Sequence, residues 1–97
     1  MAKLYFTNKA VEDLDSIWEY TVERWSRNQA EIYYNLLIDS CNELAQKPMQ
    51  GKLYDVIDKN IYGFRSGQHL VFYQIISHNE IEVVRILHSM MDLKKHL

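Results

Sequence analysis

One cysteine, one proline and three glycines are few for a chain of 97 residues, and each scarcity excludes something. With Cys41 alone, no disulfide can close within the chain, and the composition suits a reducing compartment. Cys41 stands at helical spacing from Leu37 and Leu44, which assigns it to a core and not to thiol chemistry. Long apolar runs are also missing. The longest uninterrupted one, Leu70 to Tyr73, falls far short of a membrane span. Met1 to Thr7 shows neither the apolar stretch nor the small-residue cleavage site of a secretory leader, so a soluble cytoplasmic protein is expected.

Charge of one sign is lacking too. Eleven Lys/Arg face thirteen Asp/Glu for a formal net charge of -2, and no global field announces a nucleic-acid binder. The distribution is less even than the total: residues 1 to 58 carry six Lys/Arg against ten Asp/Glu, residues 59 to 97 five against three. There is no Gly-rich phosphate loop, no nucleophile elbow and no short-spaced pair of His or Cys ligands. His69, His78, His88 and His96 are too dispersed for a structural zinc motif, so neither metal nor cofactor is expected. What is abundant is apolar and aromatic surface, 47% and 12% of residues, enough for one folded domain spanning 1 to 97.

Periodicity divides the chain in two. Lys3 to Phe6 reads as a short strand, with Thr7 or Asn8 available to cap the next element. Ala10, Leu14, Ile17, Trp18 and Thr21 then recur at three- and four-residue steps, while Glu12, Asp15, Glu19 and Glu23 fall elsewhere, which predicts an amphipathic helix. Ser26 and Gln29, at capping-box spacing, restart a helix after Trp25. Its stripe is Ala30, Tyr33, Tyr34, Leu37, Cys41, Leu44 and Ala45, ended by Pro48 and Gly51, and the short connection predicts an antiparallel helical hairpin. Gly51, Asp55 and Asp58 mark a loop. Three strands come next: Ile61 to Arg65, His69 to Ile76 and Ile81 to His88, joined by Ser66-Gly67-Gln68 and by Ser77-His78-Asn79-Glu80. The fold class is α+β: an N-terminal strand at the sheet edge, a helical hairpin and a three-stranded antiparallel meander, in two layers.

Both faces of the meander are apolar. Leu70, Phe72 and Ile76 oppose Val71, Tyr73 and Ile75, and regular alternation places Ile81, Val83 and Leu87 opposite Val84 and Ile86. A sheet with helices on one side only should alternate more cleanly, so either a second layer or a partner covers the other face. Arg85 shares a face with Ile81, Val83 and Leu87 on this reading. Its default is an ion pair with an acidic neighbour such as Asp92, and contact with a partner is the alternative. His88 is first a hydrogen-bonded structural histidine. Met90 and Met91 either close the core or serve an interface.

Arg85-Ile-Leu-His88, then Met91-Asp92 and a closing His96-Leu97, resembles the C-terminal signature of ParE-type toxins in the RelE/ParE superfamily. Trp25-Ser-Arg-Asn-Gln-Ala30 followed by Tyr33 is similar to that family's interhelical turn, and Gly67 to Tyr73 to its central strand. The resemblance implies a RelE/ParE-like two-layer fold and a toxin of a type II toxin-antitoxin system. It further implies inhibition of DNA gyrase by protein binding and neutralisation by a ParD-like antitoxin, without membrane or direct nucleic-acid partners. Messenger-RNA-cleaving RelE-type members place lysine, lysine and arginine where this chain has Asn60, Tyr62 and His69, so those catalytic roles do not transfer and no enzymatic activity is expected. Many ParE members show Gly-x-Arg where Asn60-Ile61-Tyr62 stands here; asparagine tolerates the left-handed backbone that glycine favours, but a contact made by that arginine is lost. Candidate target- or antitoxin-binding residues are Arg65, His69, Tyr73, Arg85, His88, Met90, Met91, Lys94 and Lys95, the last four joining adaptable apolar contact to positive charge. A RelE-like ribonuclease and a non-toxic interaction module stay open as alternatives.

Overall fold

Thr7 decides where the first helix begins. Its backbone is extended and its Oγ1 accepts the Ala10 amide at 3.1 Å, ending strand β1 (Lys3–Phe6) and opening helix α1 (Asn8–Arg24). Ser26 does the same for α2 (Arg27–Gln46), accepting the Gln29 amide at 3.0 Å. Only Trp25 and Ser26 separate the helices, which therefore return antiparallel as the sequence predicts. The structure is a computed structural model and describes residues 1–54 and 59–90; Asp55, Asp58 and the C-terminal residues from Met91 onward lie outside the described residues.

After α2, Pro48 starts a single turn of tight helix at Pro48–Gln50, as its missing N–H and fixed φ favour. Strands β2 (Lys52–Leu53), β3 (Tyr62–Ser66), β4 (His69–Ser77) and β5 (Glu80–His88) then complete a sheet of order β1-β5-β4-β3-β2. β1 runs parallel to β5, and the other neighbours are antiparallel. The expected meander is present and β1 takes the edge. Two features differ. The sheet has five strands, because Lys52 and Leu53 pair with Gly63 and Tyr62, a two-residue strand with no alternation to betray it. The β4–β5 connection is His78 and Asn79 alone, since Ser77 and Glu80 pair with each other. Asn60 adopts φ 67, the left-handed backbone its position requires.

Both helices lie on one sheet face. Leu14 of α1 and Leu37, Cys41 and Leu44 of α2 pack on Val71, Tyr73, Ile81, Val83 and Ile86, all nearly or fully buried. Each large aliphatic side chain so buried contributes about 1.5–3 kcal/mol. Ser66, buried under α2, is satisfied by the Ser40 hydroxyl at 2.6 Å.

The far face of the sheet is partly covered by the chain itself. Phe72 is fully buried there beside Ile61 and Leu87, with Tyr54, Leu70 and Val84 against them and the Tyr54 ring edge-on to Phe72. Ile76, on the same strand, stays 55% exposed. Among the described residues, two-sided hydrophobicity therefore has an internal explanation over Phe72 and none over Ile76.

Regular alternation fails once in β5, and the failure shapes the site. Phe72 pairs with Arg85 and Tyr73 with Val83, so Val84 is an extra, bulged residue. Beyond it the faces exchange: Ile86 joins Ile81 and Val83 under the helices, and Leu87 joins Val84 against Phe72. The sequence-based assignment of Leu87 to the Ile81 face and Ile86 to the other is thus corrected. β1 ends its pairing at Phe6 and Val83, and the start of α1 takes over the bulge. Thr7 donates its amide to the Val83 carbonyl and its hydroxyl to the Val84 carbonyl at 2.8 Å, and Asp13 accepts the Ile86 amide at 2.9 Å. These backbone groups, which a bulge would otherwise leave unpaired, find α1 partners.

Candidate functional site

Residues 13 to 24 of α1 present a second flank, beside the buried stripe, to the end of the sheet. Asp13, Ile17, Tyr20 and Arg24 line it, and β5 supplies Arg85 to His88 opposite. The resulting groove continues past His69 and Gln68 to Tyr33, Gln29 and Trp25 at the helical turn, where its volume is about 590 Å³. Tyr20 and Trp25 are 61% and 71% exposed, unusual for rings of this size, and stand at its rim.

His69 begins β4 and His88 ends β5, and the two residues are register partners, so their side chains leave the sheet on the same face. Their rings meet edge to face at a centroid distance of 5.4 Å. Tyr33 reaches down from α2 to the turn between β3 and β4, where Gly67 adopts φ 59 and a Cβ would lie 2.7 Å from the tyrosine ring. Glycine there serves both the turn and the approach of Tyr33. The Tyr33 hydroxyl accepts the Gln68 amide at 2.9 Å and contacts His69 Nδ1 at 2.6 Å. Burial lowers the His69 pKa to about 4, with the neighbouring His88 acting in the same direction and Asp13 against it, so His69 is neutral near pH 7. Burial also raises the Tyr33 pKa, against the opposing effect of the Gln68 amide.

Arg85 lies at the other end of the groove. Its Nε and Nη2 donate to the two Asp13 carboxylate oxygens at 2.8 and 3.0 Å, which raises its pKa. Bidentate pairing of this kind fixes both partners. The acidic partner expected for Arg85 is found in α1, a sequence separation of 72 residues away, where Asp13 flanks the buried stripe one residue before Leu14.

The remaining sequence candidates divide. His69, Arg85 and His88 are brought together in the groove. Met90 lies two residues beyond His88, 85% exposed, its amide donating to His88 Nδ1 at 3.1 Å, so it does not close the core. Arg65 is exposed and braces its own turn through the Gly67 carbonyl at 3.1 Å. Tyr73 is not a surface residue: fully buried, it donates to the Pro48 carbonyl at 2.5 Å and accepts the Gly51 amide at 3.0 Å, anchoring the segment after α2. Alternation alone places Tyr73 on a face without showing that α2 covers it. Met91, Lys94 and Lys95 lie outside the described residues. Among the described residues no three His, Cys, Asp or Glu gather as a metal site. Sequence reasoning did not find Asp13, Tyr20 or Arg24; their signal is a common helical flank at steps of four and three from Ile17.

Comparison with known proteins fits this geometry. A chain of similar fold is found in the chromosomal ParDE toxin-antitoxin system of P. aeruginosa, with a TM-score of 0.77, 21% identity and coverage of 91% of this chain and 96% of that one. A chain of the intact E. coli RelBE toxin-antitoxin complex gives a TM-score of 0.58 at 18% identity, covering 94% and 100%. Toxin ParE1 of Mycobacterium tuberculosis is 33% identical in an alignment of 98 positions that covers all of both chains. Toxin ParE1 of Caulobacter vibrioides is 32% identical over 91 residues, 94% of this chain and 93% of the relative. Residues 4–93 match the family model for the ParE toxin of the parDE type II toxin-antitoxin system. The chain therefore belongs to the ParE family of type II toxins.

Proposed function

We propose that this toxin acts by stoichiometric binding to DNA gyrase, without catalysis, and that a cognate antitoxin neutralises it. The observation that carries a binding mode is the character of the groove: exposed Tyr20 and Trp25 lining it, exposed Met90 two residues beyond His88, and Arg85 held within it by Asp13. Exposed aromatic, methionine and arginine side chains are the usual anchors of protein interfaces. Cleavage of RNA needs a proton acceptor and a donor titrating near neutrality together with cations for the phosphorane-like transition state. His69, with its pKa lowered to about 4, is a weak base for that task, and Asn60, Tyr62 and His69 stand where RelE-type members carry cations. An antitoxin partner is supported by the ParDE and RelBE complexes in which similar chains occur.

The ribonuclease reading has one observation in its favour, the adjacent His69 and His88 rings. Purified chain added to gyrase supercoiling reactions, alongside a ribosome-programmed RNA cleavage assay, separates the two. Loss of supercoiling or trapped DNA breaks is expected, with messenger intact. Cleaved messenger with unaffected supercoiling overturns the proposal.

A further inference from the structure

We propose that the groove receives an apolar antitoxin segment bearing a carboxylate, that His69 and His88 bind this carboxylate as Nε2–H donors, and that Tyr33 is the positioning residue that fixes the His69 tautomer. The inference rests on the antitoxin part of the proposed function and is independent of the gyrase part.

The proton count comes from the hydrogen bonds. Tyr33 Oη accepts the Gln68 amide and keeps its own proton to give; directed at His69 Nδ1, 2.6 Å away, that proton makes the nitrogen an acceptor. The single proton of neutral His69 then lies on Nε2, across the ring. Among the described residues no buried side-chain nitrogen or oxygen lacks a partner, so Nε2, for which those residues supply none, opens onto the groove. His88 Nδ1 accepts the Met90 amide, which places the proton of its neutral ring on Nε2 as well. Two imidazole donors thus meet edge to face, with Arg24 of α1 lining the same groove.

Charge complementarity selects the occupant. Asp13, the carboxylate lining this stretch, accepts from Arg85 and the Ile86 amide and does not satisfy the histidines. Ile17, Tyr20 and Trp25 make the walls apolar. A segment that buries aliphatic side chains against those walls and sets one Asp or Glu over the histidines matches both features, and a charge-assisted bond made in such a partly desolvated groove is strong.

The test has two parts. Long-range proton–nitrogen NMR of the free chain at neutral pH should show His69 as the Nε2–H tautomer, shifting toward Nδ1–H in Tyr33→Phe; an Nδ1–H wild type overturns the proposal. Affinity is then measured for a ParD-like antitoxin, the partner on which the proposed function rests. His69→Leu should weaken binding about tenfold or more, and His69→Gln, which keeps an N–H donor near the Nε2 position, should recover part of it. One acid-to-amide change in the antitoxin tail should cost about tenfold against wild type and little more against His69→Leu, the signature of a direct pair. Binding that survives every His69 replacement in folded protein, or no acidic position coupled to His69, overturns the inference and leaves the toxin reading intact. Absence of any complex with the wild-type chain overturns both.

Discussion

Replacing Asp13 with alanine removes one side chain and three hydrogen bonds at once. The carboxylate accepts from Arg85 Nε and Nη2 and from the Ile86 amide, at 2.8, 3.0 and 2.9 Å. Breaking a fully buried ion pair costs about 3–5 kcal/mol because one charge is stranded. Here the two side chains are 18% and 14% exposed, so water screens part of that loss. A figure near 2 kcal/mol is appropriate for the pair. The orphaned Ile86 amide adds about 1 kcal/mol, giving roughly 3 kcal/mol in all. With a urea m-value of about 1 kcal/mol/M for a chain of this size, the midpoint should fall by about 3 M. Asp13→Asn keeps one oxygen for the Ile86 amide but loses the charge and the acceptor for Arg85 Nη2, so about two thirds of that shift is expected. Urea titrations of both variants followed by circular dichroism provide the measurement. If Asp13→Ala lies within about 0.5 kcal/mol of wild type, the range of an ordinary surface substitution, the bulge is not held by α1 and the groove floor has another support.

Other consequences are equally open to measurement. His69 binds its proton less readily when folded, with a pKa of about 4 against about 6.5 unfolded, so the unfolded chain holds the extra proton between those values. Stability from this residue is complete above about pH 6.5 and falls by about 1–2 kcal/mol on descent to about pH 4, water at this half-buried ring screening part of the effect; wild type and His69→Gln compared by denaturation across that range should diverge, and parallel curves would refute it. Tyr73→Phe leaves the buried Pro48 carbonyl and Gly51 amide without their partner and should cost about 1–3 kcal/mol, read as a lowered midpoint with the fold retained. Burial pushes the Cys41 thiol up to about 12, so a thiol reagent should label it only at the rate of global opening, and rapid labelling of native protein would contradict the packing.

Elements governed by local chemistry are the legible ones. Thr7 and Ser26 mark helix starts because a side-chain oxygen three residues before a free amide is a local event, and the stripe from Ala30 to Ala45 reports its burial by spacing alone. Gly67 signals its turn for the same reason. The β5 bulge is different. No residue type demands it at Val84, and it arises where β1 runs out and α1 offers Thr7 and Asp13 instead, a contact between the two ends of the chain. Every assignment beyond Val84 inherits that error, including the faces of Ile86 and Leu87 and the surroundings of Arg85. β2 is invisible because two residues carry no period. In the site, the residue types that attract attention, His69, His88 and Arg85, stand out in the sequence, whereas Tyr33 is hidden among core positions and Asp13 is one acid among many on its helix.

The parallel pairing of β1 with β5 sets a timetable. Lys3 to Phe6 find their partners at Glu80 to Val83, and the clamp on the bulge joins Thr7 and Asp13 to residues 83 to 86. A chain emerging N-terminus first can form its helical hairpin early, but neither the sheet edge nor the groove exists until the last strand is free. The growing polypeptide is therefore without this groove until residues 84 to 88 have emerged. The surface proposed to receive an antitoxin segment thus comes into being with β5, and capture by that route begins only once Arg85 to His88 have folded against α1.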